Sequence, residues 1–292
     1  MPKPAARRPL TWAYTGLCLF VLAGYWTGCH GSAGRDPAPL PADPQRVVCG
    51  APAVAEILFS LGCGERIAGV TDFTDWPPEA AEIPGIGGAL SPSRERILAL
   101  NPDLILSQGR AEVLSGFARQ HAIPILSLPL DSLDDLRAAI AGFAEVMGAE
   151  DAGRERLREL EAGLDALPAC GPQAVFIALG HTPGDLAGLF TAGSGTFVHE
   201  LVEKAGGRNV FGDLRTPWPA VSRESILRRA PALVLDIQST PLDPPRRAAL
   251  TADWERLGFS DGQVRLLEEN YLLRPGPRAV QAAVRLSEAI CK

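Results

Sequence analysis

No C-x-x-C pair, no Walker-type phosphate loop and no block of lysine or arginine beyond the N-terminus occurs in this sequence. The first absence argues against zinc ribbons and thioredoxin-like redox chemistry. The second means that energy for any transport must come from partner subunits. The third argues against nucleic acid as a partner. Histidine is scarce, four in all, and those are scattered, which disfavours a dedicated Zn2+ or Mn2+ site. His199-Glu200-Leu201-Val202-Glu203 begins as a zinc-protease helix would, but position 203 is not the second histidine. Gly85-Ile86-Gly87-Gly88 has Leu90 where a dinucleotide fingerprint needs its third glycine. Gly193-Ser194-Gly195 lacks the spacing of a nucleophile elbow. The sequence reads as no enzyme, and no cofactor is expected.

What is present suits a globular chain of two domains. It has 292 residues, 46% of them hydrophobic and 21% charged, with a net charge of -6. The N-terminus is for targeting. Lys3, Arg7 and Arg8 precede an apolar run over residues 10–26, and Thr27-Gly28-Cys29 follows. That order is a secretory signal. Cys29 directly after the small pair is placed as the lipidated first residue of a bacterial lipoprotein, although Trp26 stands where that pattern usually has Leu. The alternatives are an ordinary signal peptide and an uncleaved anchor. Export is the expectation in any case, to the periplasm or outer cell surface. Residues 30–45, rich in Pro, Gly and Ala, read as a flexible tether.

Short apolar runs at 46–49, 67–70, 104–107, 123–128, 174–179 and 233–237 alternate with helical patterns. The helices are expected at 52–61, 95–100, 132–147, 195–205, 224–229 and 278–291. Alternation of this kind gives α/β lobes with mostly parallel sheets. The same module also occurs twice. Ser93-Arg94-Glu95-Arg96-Ile97-Leu98 runs on to Pro102 and Leu104, and Ser222-Arg223-Glu224-Ser225-Ile226-Leu227 runs on to Pro231 and Leu233, in the same register. Each copy spells a helix start, a proline break and a buried strand. A weaker echo sets Val54, Glu56 and Gly62 against Val198, Glu200 and Gly206. Between the repeats, residues 151–167 combine leucines at helical spacing with mixed charges, which predicts one stiff helix. The expected architecture is two α/β lobes with mostly parallel sheets joined by a single long backbone helix. Its parts are a signal over 1–29, the tether over 30–45, an N-terminal lobe over 46–148, the linking helix over 149–170 and a C-terminal lobe over 171–292. Such lobes would open only slightly, with the ligand between them. Of the remaining cysteines, Cys49 and Cys63 fall at opposite ends of the first lobe. Cys170 and Cys291 can meet, with free buried thiols as the alternative.

Over residues 46–291 the sequence resembles the helical-backbone class of ABC transporter substrate-binding proteins, which serves cobalamin, ferric siderophores, haem and a few oxyanions. The motifs are Asp75-Trp76-Pro77-Pro78, Glu95-Arg96-Ile97 with Pro102-Asp103-Leu104, Phe190-Thr191, Trp218-Pro219 with Val221-Ser222-Arg223-Glu224, and Pro277-Arg278. They are nearest to the cobalamin-binding branch. The resemblance implies that Glu95 and Glu224 each dock on one subunit of a permease dimer that carries ATPase subunits; both also suit plain helix capping. It implies that Phe73, Phe190 and Trp218 face a planar ligand, with Arg274, Asn270 and Gln108 also in the cleft. Ala89 and Gln108 replace two aromatic positions of cobalamin-binding members, and Ala205 and Ser287 replace their disulfide. The ligand implied is cobalamin or a related metal chelate, with a ferric siderophore or haem as alternatives. A surface scavenger of corrinoids without a transporter is a further alternative, and the protein is expected to act as a monomer. His181, in the loop after 174–179, is a candidate ligand contact or a plain loop residue.

Overall fold

Residues along the central strands face two different cores by turns, and that alternation organises the fold. A computed structural model describes residues 38–168, 170–186 and 188–291. The expected signal, Cys29 and the expected tether up to residue 37 lie outside the described residues. The first half contains β1 (Val47–Cys49), α1 (Pro52–Ser60), β2 (Ile67–Val70), β3 (Gly87–Gly88), β4 (Ser91–Pro92), α2 (Arg94–Ala99), β5 (Leu104–Gln108), α3 (Glu112–His121), β6 (Ile125–Leu128) and α4 (Leu133–Met147). α5 (Glu150–Asp165) follows. The second half contains β7 (Gln173–Leu179), α6 (Phe197–Lys204), β8 (Gly207–Asn209), α7 (Arg223–Arg229), β9 (Leu233–Ile237), α8 (Pro244–Arg256), β10 (Val264–Leu267) and α9 (Ala279–Cys291).

Each half builds a four-stranded parallel sheet, in the order β2-β1-β5-β6 and β8-β7-β9-β10. The two orders correspond strand for strand, so the repeat seen in the sequence is a repeat of topology. α1 matches α6, α2 matches α7, α3 matches α8 and α4 matches α9, while α5 stands between the copies in the chain. Ser93 and Ser222 cap α2 and α7 alike, their side chains accepting from the amides of Arg96 and Ser225. Asn101 and Ala230, just before Pro102 and Pro231, are both left-handed, at φ 47° and 44°. Asn adopts that conformation readily; for Ala it costs about 1–2 kcal/mol.

Val47, Cys49, Leu104, Leu106, Val175, Ile177, Leu233 and Leu235 all face one continuous apolar core. Their neighbours Val48 and Ile105 face a second core on the outer side of the first sheet, and Phe176 and Val234 a third outside the second sheet. Burial on both faces explains the unbroken apolar runs of these strands. The shared core is filled by α1, α4, α5, α6 and α9. The halves are therefore joined by more than the expected single helix: they hold one core in common. Gly153 and Gly163 let α5 sit close to its neighbours. A Cβ at Gly153 would lie 2.6 Å from Ala144 Cβ, and one at Gly163 2.6 Å from the methyls of Val280.

The structure joins Cys170 to Cys291, tying the strand entry of the second half to the end of α9. Both sulfurs lie near the Ala205 carbonyl, and Cys291 packs beside Ser287. Cys49 and Cys63 are free and buried. Burial pushes both thiols up, and at Cys63 the Arg66 charge opposes it. Among the described residues no helix is long and apolar enough to cross a membrane.

Candidate ligand cleft

In open parallel sheets, ligands collect beyond the carboxyl ends of the strands. The exposed aromatic residues lie there. Phe73 follows β2 and is 73% exposed, and Phe190 and Trp218 are 47% and 44% exposed. Phe190 exchanges backbone hydrogen bonds with Leu179, the last residue of β7, at 2.9 and 3.0 Å. It also bridges to Ala220 in the loop that carries Trp218, and Thr191 donates to the Pro219 carbonyl. The structure therefore brings Phe190 and Trp218 onto neighbouring extended segments. Phe73 belongs to the other half, beside the β3–β4 hairpin, where its ring packs near Gly88 and Leu90 is almost wholly exposed. Gln108 is exposed at the end of β5.

Arg274 and Asn270 are placed differently from those aromatics. Both meet Asp75 of the first half: Arg274 Nη1 donates to Oδ1 at 2.7 Å and Asn270 Nδ2 to Oδ2 at 2.5 Å. Arg274 Nη1 also reaches buried Glu56 at 2.7 Å, and Arg278 donates to the same carboxylate through Nε and Nη2 at 3.1 and 2.6 Å. The Arg278 guanidinium lies 5.0 Å from the ring centroids of both Trp76 and Tyr271. Burial raises the Asp75 carboxyl, but the bonds from Arg274 and Asn270 outweigh it and hold the group below its ordinary range. The two carboxylates in turn outweigh the burial of Arg274 and hold its guanidinium high. This network spans the two halves as a charged seam. Sequence reasoning noted the motifs around Asp75 and Arg278 without assigning those residues. A lone acid in the apolar stretch of α1 was the available signal for Glu56.

Each histidine among the described residues has a partner. His181 is buried between Asp236 and Asp253, His199 Nδ1 meets Asn209 Nδ2 at 3.1 Å, and His121 packs on Phe117. Among the described residues no group of three or more His, Cys, Asp or Glu could hold a metal ion.

Glu95 and Glu224 are wholly exposed in the first turns of α2 and α7. Hydrogen bonding to its own backbone amide, then to the capping serine, holds each carboxyl below its ordinary range. Leu98 and Leu227, one turn on, are 45% and 49% exposed. On both helices the buried residue is the isoleucine, Ile97 and Ile226.

Comparison with known proteins agrees with this geometry. A family model described as periplasmic binding protein matches residues 47–238. The vitamin B12-binding protein of Pectobacterium carotovorum is 33% identical over 260 residues, covering 83% of this chain and 87% of that protein. The crystal structure of the periplasmic vitamin B12 binding protein of Vibrio cholerae superposes with a TM-score of 0.68 at 24% identity, covering 85% of this chain and 97% of that one. The apo periplasmic haem-binding protein of a Roseiflexus species does so with a TM-score of 0.68 at 27% identity, over 84% and 97%. On the match to that family model and to relatives of this identity and coverage, the chain belongs to the periplasmic binding protein family.

Proposed function

We propose that this protein captures cobalamin or a closely related corrinoid between its halves and delivers it to an ABC importer. The observation that carries this reading is the pairing of Phe190 with Trp218 at the ends of the second sheet, with Phe73 exposed on the first. Flat rings bury a large area against a planar macrocycle with little loss of rotamer freedom. The relatives named for vitamin B12 support that choice. Haem is the weaker reading, although a haem-binding protein shares the fold. Haem iron in a protein takes an axial ligand such as His or Tyr. His181 and His199 are committed to other partners, and the Tyr271 ring stacks against Arg278. A corrinoid makes no such demand.

Glu95 and Glu224 are the docking contacts in this reading. The same helix, cap and exposed Arg-Glu-x-x-Leu face occur once in each half. Two equivalent acidic tips suit a partner with two-fold symmetry, such as a permease dimer with its ATPase subunits. Cys29 is the proposed lipid anchor, α5 the proposed link between lobes bounded at 148 and 171, and a monomer the proposed working state.

The test is titration of the chain begun after Cys29 with cyanocobalamin, followed by tryptophan fluorescence. Saturable quenching at sub-micromolar ligand is expected, and Trp218→Ala should weaken it at least roughly tenfold. No response to cyanocobalamin would overturn the corrinoid reading. Reversal of both Glu95 and Glu224 to Arg should abolish uptake and leave ligand affinity unchanged; unimpaired uptake would remove them from the docking face.

A further inference from the structure

The charged seam offers more hydrogen-bonding groups than it uses. Asp75 lies two residues beyond Phe73 in the loop after β2, and Asn270 and Arg274 follow β10. All three therefore stand beyond strand carboxyl ends, where ligands collect. Arg274 donates only through Nη1, to Glu56 Oε1 and Asp75 Oδ1, both at 2.7 Å. Among the described residues its Nε and Nη2 have no hydrogen-bond partner, and neither is closed off from solvent. The side chain is only 16% exposed, so the seam holds that open edge in place. Asn270 gives Nδ2 to Asp75 Oδ2 at 2.5 Å. An ionised carboxylate only accepts, so this bond fixes the amide with Oδ1 turned away from Asp75. That oxygen, too, has no partner among the described residues.

The edge thus sets donors, from Arg274, beside an acceptor, from Asn270. A primary amide presents the converse pair, a carbonyl oxygen and an N–H. A carboxylate presents acceptors alone, so one of its oxygens would meet Asn270 Oδ1 lone pair to lone pair. Charge points the same way. An unopposed guanidinium favours a carboxylate. Here Glu56 and Asp75 balance Arg274 and Arg278, four charges that cancel. Burial opposes the ionisation of Asp75, but the bonds from Arg274 and Asn270 prevail and keep it a carboxylate at neutral pH. An anionic ligand group at the open edge of Arg274 would bring a third negative charge against two positive ones.

We infer that Asp75 is a positioning residue that sets this edge of the cleft to accept a peripheral primary amide of the ligand and to reject a carboxylate. It acts through Arg274, whose charge it offsets, and through Asn270, whose acceptor it aims. This rests on the corrinoid reading of the cleft and deepens it. A corrinoid ring is edged with primary amides, whereas a porphyrin carries carboxylates. The same three residues then separate two planar macrocycles that aromatic side chains alone would bury equally well.

The test compares cyanocobalamin with its monocarboxylic acids, in each of which one peripheral amide has been hydrolysed, at neutral pH and fixed salt. On wild type one isomer should bind roughly tenfold more weakly than cyanocobalamin, while isomers whose carboxylate points to solvent bind alike. On Asp75→Asn the penalty for that isomer should fall to about threefold or less. Asp75 is 52% exposed, so the variant should fold, and its Tm checks this. A merely structural role would weaken every ligand in proportion, so the ratio between ligands decides rather than the affinity for either. Binding of cyanocobalamin by wild type with no penalised isomer overturns the inference, and so does a penalty that survives in Asp75→Asn. If wild type does not bind cyanocobalamin, the corrinoid reading itself fails, and the role of Asp75 fails with it.

Discussion

Glu56 should be the most costly single side chain to remove from the seam between the halves. It sits in α1, 1% exposed, and accepts three hydrogen bonds from two arginines that belong to the other half of the chain. Removing one partner of a buried ion pair typically costs about 3–5 kcal/mol, because the opposite charge stays buried and unpaired. Here the stranded groups keep some company. Arg274 retains Asp75, and Arg278 retains the faces of Trp76 and Tyr271. The loss for Glu56→Ala should therefore lie at the lower end, about 3 kcal/mol. For a chain of this size that corresponds to a fall in Tm of roughly 6–12 °C. Scanning calorimetry at neutral pH on the chain begun after Cys29 measures it directly. Glu56→Gln keeps the shape but not the charge, and should recover only part of the loss. A double-mutant cycle with Arg274→Gln should return a coupling of about 1–3 kcal/mol. A Tm within about 2 °C of wild type for Glu56→Ala would refute the reasoning, because desolvation would then already cancel the attraction.

Three further outcomes follow from the same geometry. Asp75 titrates below its ordinary value, so the stability it contributes is present above about pH 4 and is lost as pH falls through its folded value; the Tm difference between wild type and Asp75→Asn should shrink on acidification. The Cys170–Cys291 bond closes a separation of 121 residues, so the double variant with serine at both positions should lose about 4 kcal/mol in a denaturant titration. Gly163→Ala should destabilise by about 1–3 kcal/mol despite the better helix propensity of alanine, because its Cβ meets Val280; a gain in stability would show that α5 can shift away from α9.

The central strands were legible in the sequence because they are buried on both faces and so read as unbroken apolar runs, and the repeat was legible because its helix start, cap and proline stop are local signals. α3 and α8 were not. α3 begins after a left-handed Ala111 with no side-chain cap, and α8 buries only Leu250, Asp253 and Trp254 among charged neighbours. β8 reads Gly-Arg-Asn, with no apolar pattern, and takes its place by pairing with β7. Within the site, exposed aromatics at strand ends could be picked out by motif, but Arg274 could not be understood without Glu56 and Asp75, which lie 218 and 199 residues away in the chain. His181 is the clearest case. In a Gly-His-Thr-Pro loop it looks free to meet a ligand, whereas Asp236, at the one polar position in an otherwise apolar strand, draws it inward.

The echo between Glu56 and Glu200 has a structural meaning that bears on how the cleft can work. Glu200 of α6 accepts the amide of Leu133 at 2.6 Å, at the start of α4, while Glu56 of α1 holds Arg274 and Arg278 at the start of α9. α1 matches α6 and α4 matches α9, so each half sends one glutamate to the start of the other half's last helix. Phe197 N, donating to the Asp131 carbonyl at 2.5 Å, adds a backbone tie beside the first contact. Together with an apolar core common to both halves, these paired ties resist both separation and rotation, since any rigid movement of one half would strain both contacts at once. A wide hinge opening would have to expose that core. If the proposed function holds, selection among chelates depends on side chains at the rim rather than on closure, and it is at the rim, with Phe73, Phe190 and Trp218, that the exposed rings stand.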